Sequence, residues 1–321
     1  MSIIEQAVKR LEELRRAGVD IPDAGQRQNA VTSVATGSRE VRSSSTAGET
    51  TSRFRADAAR PSAADSLRAR QRPVDPRKTS RAVELDVERL ASKGYLTPSQ
   101  TDRRLADDFR NVKLHVLRNA EAATERGQRH GNIVLVTSAL PGEGKTFTSV
   151  NLALSIASQV DQSVLLLDAD VLRPAAIERL GLEPQAGLTD LLTHPDMPVA
   201  DVLLRTNIPK FSLLGAGTVM ARAAELLGSA AMSELIDDLA QRYPDRLIVI
   251  DGPPVLVSTI CRSLASQVGQ ILMIVEAEAS KRAVVLQALA ALEGCPKVEV
   301  VLNKSRLPPA GSEYGYYGQN L

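Results

Sequence analysis

The stretch Ala139-Leu-Pro-Gly-Glu-Gly-Lys145-Thr146 constrains this chain more than any other. It has the spacing of a phosphate-binding loop, with Ala139 in the first position where Gly is usual. The apolar run 133–138 leads into it, and the helical pattern 145–158 leads out. That order of strand, glycine-rich turn and helix points backbone N–H groups at phosphate oxygens on a helix N-terminus. Gly142 and Gly144 let the backbone close around the phosphates. Lys145 reaches the β- and γ-phosphates, and the Thr146 hydroxyl is placed for magnesium. Pro141, Glu143 and Phe147 complete the expected nucleotide-binding segment, which makes ATP and Mg2+ the expected ligands.

Two further strands end in carboxylates. Val164-Leu-Leu-Leu-Asp168-Ala-Asp170 closes one apolar run, and Leu247-Ile-Val-Ile-Asp251-Gly-Pro-Pro254 closes another. In open α/β sheets ligands bind beyond the carboxyl ends of the strands, where these aspartates would lie. Magnesium takes one or two carboxylates and completes its shell with water and phosphate. Thr146, Asp168 and Asp251 are therefore the candidate metal set, and Lys145, Asp168, Asp170 and Asp251 the candidate catalytic set.

Around these motifs, apolar segments at 133–138, 164–168, 211–214, 247–251, 270–275 and 298–303 alternate with helical patterns at 145–158, 223–242 and 281–293. A further helix is expected from Thr97-Pro98 to about Asn119. Aromatic residues make up 3% of the chain, and the buried-looking strands are Leu, Ile and Val. This is the pattern of a mostly parallel sheet flanked by helices, a P-loop NTPase-type α/β fold. Four segments are expected. Residues 1–20 hold a short amphipathic helix, and 21–82 a disordered linker of Ser, Thr, Ala, Gly and Arg. The domain spans 83–307, and residues 308–321 form a tyrosine-rich tail. The formal charge of +1 offers no global field for nucleic acid. No apolar run approaches the ~18 residues of a membrane-spanning helix, and no signal peptide is recognisable, so the sequence reads as cytoplasmic. Cys261 and Cys295 stand apart from one another and read as free thiols.

Taken together, the P-loop, Leu-Leu-Leu-Asp168-Ala-Asp170 and Ile-Val-Ile-Asp251-Gly-Pro-Pro254 resemble the bacterial tyrosine kinases (BY-kinases). Ala224-Glu225-Leu-Leu227 and Val301-Leu-Asn303-Lys304 resemble the same family. The resemblance implies a protein-tyrosine autokinase that serves exopolysaccharide assembly, with Asp168 near the attacking tyrosine hydroxyl, Asp170 near the metal and Asn303 near adenine. It implies autophosphorylation of Tyr314, Tyr316 and Tyr317, three of the chain's five tyrosines. It also implies a homo-oligomer, a ring in this family, closed through the helix carrying Asp107, Arg110 and Lys113. There the family's Glu-x-x-Arg-x-x-Arg is replaced by shorter or non-forked side chains. A separate membrane-embedded chain-length-determinant protein is the implied activator, recruiting the kinase to the inner membrane. Leu172 stands where the family commonly has Arg, with Arg173 following. An ATPase switch of the ParA/MinD type is the alternative reading, and the absent Lys-Gly-Gly loop start and the tyrosine tail weigh against it. A non-catalytic nucleotide-binding module is a third.

Overall fold

The computed structural model describes residues 80–97, 102–220, 222–295 and 297–306. The expected N-terminal helix, most of the linker and the tyrosine tail lie outside the described residues.

An eight-stranded sheet organises the domain. Its strands are β1 (Arg81–Val83), β2 (Ile133–Ser138), β3 (Ser163–Asp168), β4 (Leu204–Thr206), β5 (Phe211–Leu214), β6 (Arg246–Asp251), β7 (Gln270–Glu276) and β8 (Lys297–Asn303). Their order is β1-β4-β5-β3-β6-β2-β7-β8, with only the β4–β5 pair antiparallel. Every residue of β2 is buried, as are all but the first of β3 and β6. Continuous Leu/Ile/Val runs are what a strand covered on both faces requires. The register places Asp168 opposite Asp251, and Val136 opposite Asp251 on the other side. Three strand ends thus bring the P-loop and both acidic motifs to one edge.

On one face lie α1 (Val87–Ser92), α2 (Arg103–Glu125), α3 (Lys145–Ala157) and α4 (Ala176–Arg179). The P-loop helix α3 has twelve of its thirteen residues buried, so it is enclosed rather than amphipathic. On the other face lie α5 (Leu188–Thr193), α6 (Val199–Val202), α7 (Ala223–Leu227), α8 (Ala230–Arg242), α9 (Thr259–Ala265) and α10 (Arg282–Ala291).

Several elements differ from the sequence expectation. α2 runs from Arg103 to Glu125, because the Asp102 side chain accepts the Leu105 N–H at 3.1 Å and caps it there. The single helix expected over 223–242 is two, broken at Gly228 and restarted at Ser229 in extended conformation. β1 pairs with β4 two residues before the expected domain boundary. Both strands are three residues long, too short for a periodic signal. Among the described residues no helix is long and apolar enough to cross a membrane.

Candidate active site

The turn from β2 into α3 holds its shape through two left-handed glycines, Gly142 at φ 92° and Gly144 at φ 99°. Gly144 is also sterically required, since a Cβ there would lie 2.0 Å from Asn303 Nδ2. Behind the loop, the Glu143 carboxylate accepts the Leu140 N–H at 2.7 Å and pairs with the Ser280 hydroxyl. Asn303 Nδ2 donates to Glu143 O at 2.9 Å, and Lys304 Nζ to Gly142 O at 2.9 Å. Residues following β7 and β8 therefore strap the loop from outside.

Lys145 is buried and its Nζ lies 2.7 Å from Asp170 Oδ2 and 4.0 Å from Asp251 Oδ1. Burial works against its ammonium, but Asp251 and Asp170 outweigh burial and hold the pKa above the ordinary lysine value. Asp251 is fully buried and its pKa is pushed up by burial, partly offset by Lys145 and by the Thr146 and Ser149 hydroxyls. Ser149 Oγ donates to Asp251 Oδ1 at 3.1 Å.

Asp168 is held by three backbone amides. Its Oδ1 accepts Asp170 N at 3.1 Å, and its Oδ2 accepts Ala175 N at 3.1 Å and Ala176 N at 3.0 Å. Burial first, and then Asp251, push its pKa up to about 7 against the pull of those amides and Lys145. At 1% exposure it sits behind the surface, whereas Asp170 lines the cavity.

That cavity, of about 350 Å³, is bounded by Pro141, Gly142 and Gly144–Phe147 on one side. Asp170, Leu172, Arg173, Ala175 and Arg179 form a second wall, with Pro253, Pro254, Val257 and Ser258 beside it. The fit to magnesium rests on one atom. Asp251 Oδ2 is buried with no hydrogen-bond partner, on a carboxylate already bonded to the Thr146 hydroxyl. A buried carboxylate oxygen left over beside a P-loop hydroxyl is what a water-bearing Mg2+ would satisfy. Asp168 has less to offer a metal, since three amides leave one lone-pair direction, on Oδ1. Among the described residues no cluster of three His, Cys, Asp or Glu could cage a metal alone.

The structure thus brings together Pro141, Gly142, Glu143, Gly144, Lys145, Thr146, Asp168, Asp170 and Asp251. Asn303 is there too, but its amide grips the loop backbone, leaving Oδ1 for other contacts. Phe147 lines the cavity while its ring packs 5.4 Å from Tyr95 and 6.3 Å from Phe109. Glu225 lies exposed on α7, outside the cavity lining. On α2, Arg110 and Asp107 form an exposed ion pair at 2.5 Å along the helix. Lys113, one turn on, lines a cavity with Arg110 but differs in exposure. It is buried, its pKa lowered by burial and then by Arg110, with Nζ 3.3 Å from Ser155 O. Sequence reasoning missed Ser149, Ser280 and Arg179. Ser149 carried a signal, one helical turn after Lys145; the other two are joined to the site only by the fold.

The profile of a family described as AAA domain matches residues 131–292, about half of the chain. EpsB, a putative tyrosine-protein kinase of Ralstonia nicotianae, is 34% identical over 217 residues, 67% of this chain and 28% of that protein. Tyrosine-protein kinase YwqD of Bacillus subtilis is 31% identical over 187 residues, 58% of this chain and 77% of that protein. The chain therefore spans little more than a quarter of EpsB but most of YwqD. The crystal structure of the VpsO kinase domain superimposes with a TM-score of 0.50 at 34% identity, covering 61% of this chain and 98% of that domain. With the AAA profile matched over half of the chain and YwqD covered over 77% of its length at 31% identity, the chain belongs to the bacterial tyrosine-protein kinase family and builds it on an AAA domain.

Proposed function

We propose that the chain is an ATP-dependent protein-tyrosine autokinase that phosphorylates Tyr314, Tyr316 and Tyr317 of a neighbouring copy. The observation that carries this reading is a P-loop lysine paired with Asp170 in the wall of a cavity, with Asp168, its pKa raised to about 7, two residues before that wall. Phosphoryl transfer asks for positioning and charge stabilisation more than for covalent chemistry.

In this scheme the P-loop amides and Lys145 hold the β- and γ-phosphates, and Lys145 exchanges its Asp170 contact for phosphate oxygen. Mg2+, when bound near Thr146 and Asp251, supplies charge neutralisation of the phosphates. The tyrosine oxygen forms a bond to the γ-phosphorus as the bond from that phosphorus to the ADP oxygen breaks. The hydroxyl proton passes to Asp168 Oδ1, the one position of that carboxylate its three backbone amides leave open. A pKa near 7 suits an acceptor working near neutral pH. Asp170, on the cavity wall, then orients the acceptor and the metal's waters.

The wider reading follows the family resemblance. The kinase regulates exopolysaccharide biosynthesis and export, works as a homo-oligomer, and is recruited to the inner membrane by a separate membrane-embedded chain-length-determinant protein. Incubating purified protein with ATP and Mg2+ and mapping phosphotyrosine by mass spectrometry tests the core. Phosphate on the tail tyrosines is expected. ATP hydrolysis with no phosphotyrosine would return the chain to the ATPase-switch reading.

A further inference from the structure

Phosphate binding uses the P-loop wall of the cavity and leaves the opposite lip unexplained. Leu172, on the turn after β3, is 57% exposed, and Val257, on the loop after β6, is 61% exposed. Both line the cavity, as do Pro253 and Pro254. Open aliphatic side chains on the rim of a pocket mark a place where apolar surface is to be covered.

Two cations share that lip. Arg173 and Arg179 are exposed and line the same cavity. Among the described residues neither has a carboxylate within ion-pair distance, and the only side-chain partner of Arg179 is the Tyr95 hydroxyl at 3.4 Å. Lys145, by contrast, is already matched by Asp170. Glu178, the acid nearest in sequence to Arg179, lines a different cavity with Pro174 and Ile177. The lip therefore carries positive charge that the domain itself leaves open.

We propose that this lip selects tyrosines preceded by an acidic residue. Leu172 and Val257 flank the phenol ring, while Arg173 and Arg179 hold the carboxylate one position before it. The chain contains one such site in its tail, Glu313-Tyr314, whereas Tyr316 follows Gly315 and Tyr317 follows Tyr316. Tyr314 is then the preferred acceptor, and other substrates belong to the class of acid-flanked tyrosines. This rests on the kinase reading above and adds the substrate class to it.

The test uses the full chain with ATP and Mg2+, reading initial labelling of each tail tyrosine by site-resolved mass spectrometry. Glu313→Gln and Glu313→Lys change a residue outside the described ones, and an unchanged Tm for each variant confirms that the domain is intact. Loss of a contact between charged groups predicts Tyr314 labelling slowed about threefold to tenfold, more for Lys than for Gln. Tyr316 and Tyr317 should change less than about twofold. Combining Glu313→Lys with Arg173→Glu and Arg179→Glu should restore Tyr314 labelling. Unchanged Tyr314 labelling in both tail variants, with labelling otherwise active, overturns the lip proposal. So does a loss of Mg-ADP affinity in the Arg173→Glu, Arg179→Glu protein equal to its loss of labelling, which would assign the arginines to the nucleotide. Absence of phosphotyrosine on wild type would instead remove the kinase reading.

Discussion

Lys145 Nζ rests 2.7 Å from Asp170 Oδ2, so the phosphate-binding lysine that follows β2 is held by an acid of the motif that follows β3, two strands away in the sheet. Together with Asp251 at 4.0 Å, the arrangement is one buried cation among carboxylates, kept in place until phosphate competes for it. Removing that cation has two consequences. Lys145→Ala should lower tail phosphorylation at least about a hundredfold, because a charge-assisted grip on phosphate is lost. It should also destabilise the nucleotide-free domain by about 3–5 kcal/mol at pH 8, as breaking one partner of a buried pair does. Without Lys145 the folded-state pKa of Asp251, already raised by burial, rises further above its unfolded value. The loss should therefore shrink as pH is lowered from 8, because Asp251 then takes up a proton. Thermal melts at falling pH check the sign.

Asp168 has its pKa raised from 3.8 to about 7 in the folded chain. Between those values the native state binds more protons than the unfolded state, so this group's contribution to stability falls as pH rises. It is fully present below about pH 4 and lost as pH passes through about 7. Asp168→Asn replaces the titrating group with a neutral one. The Tm of the variant minus that of wild type should become more positive from pH 4 to pH 8. A flat difference would mean that Asp168 ionises at its ordinary value. In kinetics, the wild-type rate should rise through about pH 7, and Asp168→Asn should abolish that limb.

Gly144→Ala places a side chain at φ 99° and drives a Cβ into Asn303 Nδ2. Strain of this kind costs about 1–3 kcal/mol. The substitution should lower Tm and weaken Mg-ADP binding at least about tenfold by calorimetry, since the strap from Asn303 to the loop cannot persist unchanged. Asn303→Ala should relieve part of the Tm loss in the double variant.

The α2 pair Asp107–Arg110 is exposed, so Arg110→Glu should alter stability by less than about 0.5 kcal/mol. If this face joins subunits, light scattering should nevertheless show the mass shifting toward monomer, with phosphorylation falling most at low protein concentration. An unchanged mass with full activity would leave the pair as a solvated helix face.

Much of the site was legible because its information is local. The P-loop sits between a strand and a helix, and Asp168 and Asp251 each terminate an apolar run, so one motif and one periodicity fix where they meet. The inward turn of Lys113 was also readable, since Phe109, Val116 and Leu117 define a buried stripe on which it falls. The straps were not. Ser280 and Lys304 reach the loop across 137 and 162 residues, through strand ends that only the sheet order places side by side. The break at Gly228-Ser229 was hidden because the apolar period continues through both α7 and α8. Asp168's three amide bonds depend on how the chain turns into α4, which no spacing in the sequence records.

The most direct test of the central claim mixes two copies, neither of which can label its own tail tyrosines. One carries Lys145→Ala and keeps its tail; the other keeps its P-loop and carries Phe at positions 314, 316 and 317. With ATP and Mg2+, transfer between subunits predicts phosphate on Tyr314, Tyr316 and Tyr317 of the Lys145→Ala copy. An unlabelled tail on that copy, under conditions where wild type labels itself, would contradict phosphorylation of one copy's tail by the active site of another.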